Sequence, residues 1–130
     1  MKIQKISAIT LKVKNMKKSF AFYSRIPGFQ LSYGNPESLF TSFELTDRTN
    51  GSVSFINLEL SKKVNDKNFG RIIFYSENVD NLYLFFTQDK IVSKLIKIKN
   101  APNNANWGER YFHILDPEGY ELSFAQPLKK

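Results

Sequence analysis

Cysteine is absent from this chain of 130 residues, and histidine and tryptophan occur once each. Without cysteine the protein has no disulfide bonds, no thiolate metal ligands and no cysteine nucleophile. Apolar runs are short: none approaches the 18 residues of a transmembrane helix, and none near the N-terminus indicates a signal peptide. We therefore expect a cytoplasmic protein with no membrane partner.

The composition is that of a folded domain with a basic excess. Hydrophobic residues make up 42% and aromatic residues 15%, which predicts one domain over residues 1–130 with its own core. The net charge of +7 could attract anionic partners, although a composition rich in Ile, Asn and Lys is the simpler explanation of this charge. No helix-turn-helix, zinc-finger or RNP motif is present, so we expect no nucleic-acid partner.

One pattern occurs twice in the chain. ITLKVKNMKKSFAFY (9–23) aligns with IIFYSENVDNLYLFF (72–86) at an offset of 63. Each copy predicts a short alternating strand followed by an amphipathic helix. Asn15 in the first copy, and Asn78 or Asp80 in the second, are predicted N-caps. The apolar helix stripes are Met16, Ser19, Phe22, Tyr23 and Ile26, then Val79, Leu82, Phe85 and Phe86.

Three strand-like runs follow each helix, with good hairpin turns at Asn50-Gly51 and Pro117-Glu118-Gly119. Residues 100–107 read as a loop. The repeating unit is therefore β-α-β-β-β, spanning about 3–60 and about 69–127, and the predicted class is α+β. The predicted strands after the helices are residues 29–34, 38–45, 52–60, 93–99, 109–115 and 120–126.

The ends of the two copies align at an offset of 64, which places Glu59 on Ser123. In each strand the apolar side has to cover the helix, so the alternate residues face the other side of the sheet. The residues assigned to that second face are Ala8, Thr10, Glu59, Arg71, Ile73, Tyr75, Tyr111, His113 and Ser123.

Three segments carry a family resemblance: the strand and helix of 9–23, PGFQL (27–31), and WGERYFHILDPEGYELSF (107–124). Together they resemble the vicinal oxygen chelate superfamily, which includes glyoxalase I, extradiol dioxygenases and bleomycin-resistance proteins. The resemblance implies that two βαβββ units form a curled mixed-sheet cup. It also implies four metal-ligand positions, which fall on Ala8, Glu59, Arg71 and Ser123.

These four residues are a poor metal site. A catalytic metal needs about three histidine or carboxylate donors, and only Glu59 is one. The Arg71 guanidinium would repel a divalent ion by roughly 4 kcal/mol per unit charge at about 4 Å. We expect no metal and no other cofactor. Arg71 then either pairs with Glu59 or binds the carboxylate or phosphate of a ligand.

The resemblance also places His113, with Tyr111 and Tyr75, on the wall of the cup. His113 is either a general base or a wall residue hydrogen-bonded to a neighbour. Trp107 either borders a ligand groove or fills the core or an interface.

Two functions follow. The first is a metal-free protein, similar to bleomycin-resistance proteins, that binds a small anionic or aromatic molecule and forms a homodimer. The alternative is a divergent glyoxalase-type lyase or isomerase, either with Glu59 or His113 moving a proton or with a metal if the alignment shifts by two residues toward Glu121 or Glu44. The predicted ligand-binding residues are Arg71, His113, Tyr111, Tyr75, Glu59, Ser123, Thr10 and Trp107.

Overall fold

A computed structural model of the chain describes residues 1–64 and 67–129. The chain divides into two compact units, Met1–Val64 and Asn65–Lys130, which match the two predicted repeats. The expectation of a single domain that joins them stays a prediction. Within the described residues, no helix is long and apolar enough to cross a membrane.

The first unit has the predicted βαβββ order. Its elements are β1 (Ala8–Val13), α1 (Met16–Tyr23), β2 (Gln30–Tyr33), β3 (Phe40–Thr46) and β4 (Val53–Leu60). The sheet order is β1-β4-β3-β2, in which β4 is parallel to β1 and antiparallel to β3. The first strand of the unit therefore pairs with its last strand.

The second unit repeats this plan with additions. Its elements are β5 (Ile72–Tyr75), α2 (Val79–Gln88), α3 (Val92–Leu95), β6 (Lys97–Ile98), β7 (Asn103–Asn104), β8 (Glu109–Leu115) and β9 (Glu121–Pro127). The sheet order is β5-β9-β8-β6, with β7 also paired to β8. As in the first unit, the first and last strands, β5 and β9, are parallel neighbours.

The two main helices begin at the predicted caps. The Asn15 side chain accepts a hydrogen bond from the backbone N–H of Lys18 at 3.0 Å, and Asn78 accepts one from Asn81 at 3.0 Å. Each contact satisfies one of the N–H groups that have no partner within a helix. The predicted α1 stripe is buried along its whole length, and in α2 Val79, Leu82 and Phe86 are buried.

One side of the second sheet is packed under α2. The Phe112 ring on β8 lies 5.4 Å from Phe124 on β9, and Phe86 on α2 meets Phe124 edge-to-face at 5.2 Å. Tyr83 completes the contact from α2. Because successive residues of a strand point to opposite faces, this packing assigns the neighbours of Phe112, which are Tyr111 and His113, to the other face.

The predicted strand over residues 93–99 is wrong for its first half. The Asp89 carboxylate accepts hydrogen bonds from the backbone N–H groups of Ile91 and Val92, at 3.1 and 2.9 Å, and starts a helical turn there. Val92 is fully buried, which secures this turn. Only Lys97–Ile98 is a strand. The predicted loop 100–107 likewise contains the short strand β7.

The turn between β8 and β9 confirms the predicted hairpin. Oδ1 of Asp116 accepts hydrogen bonds from the backbone N–H groups of Glu118, Gly119 and Tyr120 at 2.8–2.9 Å. Gly119 has a φ of +102°, which favours glycine. The turn fixes the register of β8 against β9, and this register determines which side chains meet on the face described below.

Candidate functional site

The candidate site is the face of the second sheet that points away from α2. Aligned strand partners share a face, and two rows of such partners cross the sheet here. One row is Ile73, Ser123 and His113, and the next is Tyr75, Ala125 and Tyr111. We call this surface the β8 face; Arg71, Trp107, Glu109 and Glu121 complete it.

Arg71 and His113 form the polar centre of one end of the β8 face. Nη2 of Arg71 pairs with the Glu121 carboxylate at 3.1 Å, and Nη1 lies 3.2 Å from Nε2 of His113. The Arg71 side chain is 43% exposed and that of Glu121 is 25% exposed. The guanidinium is therefore held between two partners while part of it remains open to solvent.

The contact with Arg71 determines the tautomer of His113. Arginine has only donors, so Nε2 of His113 has to accept, and the ring proton is on Nδ1. Nδ1 donates to Oγ of Ser123, which is buried. Burial lowers the pKa of His113 from its ordinary 6.5, and the charges of Arg71 and Lys99 lower it further, while Glu121 acts in the opposite direction. The imidazole is consequently neutral at pH 7.

An aromatic wall extends from His113 along β8. The Tyr111 ring lies 4.8 Å from the imidazole, and it also stacks against Trp107 at 5.9 Å with an interplanar angle of 23°. Trp107 is 68% exposed, so its outer side is open to solvent. The sole tryptophan and the sole histidine of the chain thus contact the same tyrosine.

Glu109 holds the far end of the β8 face. Its Oε1 accepts a hydrogen bond from Nε1 of Trp107 at 2.9 Å, and its Oε2 accepts one from the Tyr75 hydroxyl. These two bonds, that from Tyr75 first, lower the pKa of the Glu109 carboxyl, and the same contact raises the pKa of Tyr75. Glu109 is therefore ionised at neutral pH.

Two side-chain bridges cross over the central strand β9. One joins Arg71, just before β5, to His113 on β8; the other joins Tyr75 on β5 to Glu109 on β8. The β9 residues Ser123 and Ala125 are small and buried. Small side chains in this strand leave room for the flanking side chains to meet above it.

In the first unit the corresponding face has a neutral polar row. Asn57 on β4 donates from its amide nitrogen to Thr10 at 3.2 Å and accepts from the Ser42 hydroxyl at 2.7 Å. Glu59 lies on the same strand opposite Lys12, and Ala8 lies opposite Phe55. Thr10 therefore contacts Asn57 rather than another predicted site residue.

The register shows that the offset of 64 between the last strands is wrong. Leu11 pairs with Leu58 in the first unit, and its counterpart Phe74 pairs with Phe124 in the second, so the last strands correspond at an offset of 66. The counterpart of Ser123 is Asn57, and that of Glu59 is Ala125. A shift of two residues keeps every side chain on its face, which is why strand alternation did not reveal it.

A family comparison agrees with this architecture. The family described as Glyoxalase/Bleomycin resistance protein/Dioxygenase superfamily matches residues 5–124. The chain belongs to this superfamily. A comparison with curated proteins gave no significant match.

Several solved structures share the fold. An integron cassette protein from the mobile metagenome of Halifax Harbour Sewage Outfall is 22% identical, with a TM-score of 0.68 over 95% of this chain and 99% of that one. A possible glyoxalase from Bacillus cereus is 18% identical, with a TM-score of 0.67 over 94% and 98%. Lactoylglutathione lyase from Agrobacterium tumefaciens is 16% identical, with a TM-score of 0.67 over 95% and 94%.

The residues of this superfamily member do not fit the metal that the resemblance implies. With the corrected register, the four ligand positions hold Ala8, Asn57, Arg71 and Ser123, which include no histidine and no carboxylate. Within residues 1–64 and 67–129, no three histidine, aspartate or glutamate side chains are grouped so that they could hold a metal ion. The donor set is that of a hydrogen-bonding surface.

Six of the eight predicted ligand-binding residues belong to the β8 face: Arg71, Tyr75, Trp107, Tyr111, His113 and Ser123. The other two, Thr10 and Glu59, lie on the first sheet, and a pair between Arg71 and Glu59 stays a prediction. Sequence reasoning missed Glu109, Asn57 and Ser42. The alternation that identified Tyr111 and His113 extends by two residues to Glu109, so the signal for this residue was present.

Proposed function

We propose that the protein binds a small anionic molecule with an aromatic portion on the β8 face, without a metal ion. The observation that carries the proposal is the position of Arg71, a partly exposed guanidinium beside an aromatic wall. Its two intramolecular contacts use two of the five N–H donors of an arginine. The other donors are available to a carboxylate or phosphate.

The ion pair between Arg71 and Glu121 does not oppose such a ligand strongly. Partly exposed ion pairs contribute about 0–1 kcal/mol, because water already solvates both charges. A ligand carboxylate that makes two parallel hydrogen bonds with a guanidinium forms a stronger contact. The net charge of +7 adds a long-range attraction for anions.

The aromatic preference comes from Trp107 and Tyr75, which are 68% and 69% exposed. Their rings are held by hydrogen bonds to Glu109 rather than by burial, so they are oriented before a ligand arrives. A flat ligand gains both stacking and burial against such rings, and little ordering entropy is lost.

Calorimetric titration with 2-naphthoate and with 2-naphthalenemethanol tests the proposal. The two probes share one ring system and differ in charge. We expect the naphthoate to bind at least tenfold more tightly, and Arg71→Gln to remove this difference. Lys90→Gln, which removes one positive charge beyond the end of α2, is the matched control. Equal binding of both probes, or no loss in Arg71→Gln, would exclude the proposal.

A second candidate is a divergent glyoxalase-type lyase or isomerase, or another metal-dependent enzyme of the superfamily. The neutral state of His113 favours the metal-free version, because its Nε2 lone pair becomes a base once a substrate carboxylate draws Arg71 away. The metal-dependent version requires stoichiometric binding of zinc, nickel or manganese. Calorimetry with these ions separates the two versions, because the metal-free enzyme should give no heat of metal binding.

We also propose a homodimer as the assembled form. Superfamily members are often dimers and bind small molecules. Sedimentation equilibrium measures the mass directly: a species of twice 15.1 kDa supports the proposal, and a monomer at micromolar concentration excludes it.

A further inference from the structure

Glu109 gives the β8 face a negative end. Each of its carboxylate oxygens accepts one hydrogen bond within the protein, from Trp107 or from Tyr75, and a carboxylate oxygen can accept two. A ligand donor can therefore be added without breaking either internal bond. The depressed pKa keeps the group ionised at neutral pH.

The surroundings of Glu109 suit a cation. Trp107 and Tyr75 each present a largely exposed ring next to the carboxylate. The inner side of the Trp107 ring is backed by Tyr111, so its orientation is fixed. An ammonium group attracts both a carboxylate and the face of an aromatic ring, and tryptophan is the best ring for this contact.

The charges of the β8 face are separated by an apolar stretch. Arg71 contacts His113 at one end, and Glu109 lies four residues earlier on the same strand, a distance of about 13 Å at roughly 3.3 Å per residue. Tyr111 lies between these ends, and Ile73, which is 59% exposed, lies in the same strand row as His113. The face therefore runs from a cation, across an apolar middle, to an anion.

We propose that the ligand of the β8 face is dipolar: it has an anionic group at Arg71, a flat apolar body over Tyr111 and Ile73, and a cationic group at Glu109. This inference rests on the proposed function and deepens it by naming the second charge of the ligand. It also excludes dicarboxylates of similar length, because Glu109 repels a second anion.

Three rigid probes test the inference by calorimetry: biphenyl-4-carboxylate, 4′-(aminomethyl)biphenyl-4-carboxylate and biphenyl-4,4′-dicarboxylate. They share one body and differ only in the group at the far end. We expect the aminomethyl probe to bind about five- to tenfold more tightly than the parent, as a partly solvated ion pair with a cation–π contact allows. The dicarboxylate should bind more weakly than the parent.

Glu109→Gln is the decisive variant. Glutamine keeps an acceptor for Trp107 or Tyr75 but has no charge, so the advantage of the aminomethyl probe should disappear while the parent binds as before. Glu37→Gln, at an exposed residue of the first unit, removes the same charge and should leave the advantage intact. Circular dichroism confirms that each variant is folded.

The outcomes separate the two proposals. If the parent biphenylcarboxylate does not bind, or binds equally well to Arg71→Gln, the proposed function fails and the inference fails with it. If the parent binds through Arg71 but the aminomethyl group adds nothing, only the dipolar inference is overturned. It is also overturned if Glu109→Gln retains the full advantage.

Discussion

The guanidinium of Arg71 donates a hydrogen bond to Nε2 of His113. The one histidine of the protein is therefore held as a neutral imidazole, and the Nε2 lone pair is occupied by this bond. The opposite ring nitrogen donates to Ser123. In a hydrolase triad the histidine is oriented by a carboxylate that accepts from the ring N–H, whereas here it is oriented by a cation that donates to the ring nitrogen. The imidazole is suited to accept a proton only after Arg71 has moved, which links its chemistry to ligand binding.

The titration of His113 provides the first prediction. Burial and the charges of Arg71 and Lys99 lower its pKa, so NMR titration of the single histidine should give a value below 6.5 and an Nδ1–H tautomer. Arg71→Gln and Lys99→Gln should raise this pKa, and Glu121→Gln should lower it further. A value at or above 6.5 in the unmodified protein would contradict the arrangement.

The pH dependence of stability follows from the same shift. The folded pKa of His113 is lowered, so the unfolded chain binds more protons near and below pH 6.5. The contribution of neutral His113 to the free energy of unfolding is complete above the unfolded pKa and is lost as pH falls through the folded pKa. Urea denaturation between pH 5 and 8 should show this slope, and His113→Gln should flatten it.

The turn at Asp116 should be a main source of stability in the second unit. Its buried carboxylate accepts three backbone hydrogen bonds, and Asp116→Ala removes this acceptor from the N–H groups of Glu118 and Tyr120, while that of Gly119 keeps the backbone carbonyl of residue 116 at 3.0 Å. We expect a loss of about 2–3 kcal/mol in the free energy of unfolding, measured by chemical denaturation. Asp116→Asn retains an oxygen acceptor and should lose less. Equal losses in the two variants would show that the negative charge of Asp116, rather than its role as a hydrogen-bond acceptor, stabilises the turn.

Two glycines of the first unit make a matched pair. Gly34 and Gly28 both have φ near +90°, but a Cβ on Gly34 would lie 2.6 Å from the carbonyl oxygen of Phe40, whereas one on Gly28 would meet no atom within 4 Å. Gly28→Ala should destabilise by about 1–2 kcal/mol through backbone strain alone. Gly34→Ala should lower the free energy of unfolding by clearly more than Gly28→Ala, because the start of β3 has to shift to make room for the Cβ. Similar denaturation midpoints for the two variants would refute this difference.

Local chemistry made the helices and turns predictable. Asn15, Asn78 and the DPEG turn are short-range signals, and each acts through hydrogen bonds within four residues along the chain. Alternation also assigned Tyr111 and His113 to the correct face. These features depend on the residues themselves and not on what they pack against.

The misassigned parts have different causes. Alternation predicted a strand over 93–99, but the Asp89 carboxylate accepts a hydrogen bond from the backbone N–H of Val92, only three residues away, and burial of Val92 stabilises the helical turn. The pairing of β4 with β1 is set across more than forty residues, so no local pattern could distinguish Glu59 from Asn57. The ionic partner of Arg71 within its own unit, Glu121, likewise follows from strand register.

The parallel pairing of first and last strands has a consequence for how the protein forms during synthesis. β1 gains its strand neighbour only when β4 has left the ribosome. In the same way, β5 gains its neighbour only when β9 has been synthesised. Sheets closed by such distant partners form slowly compared with hairpins. Each unit therefore passes through a stage in which its first strand has been synthesised but its backbone N–H and C=O groups still lack their strand partner.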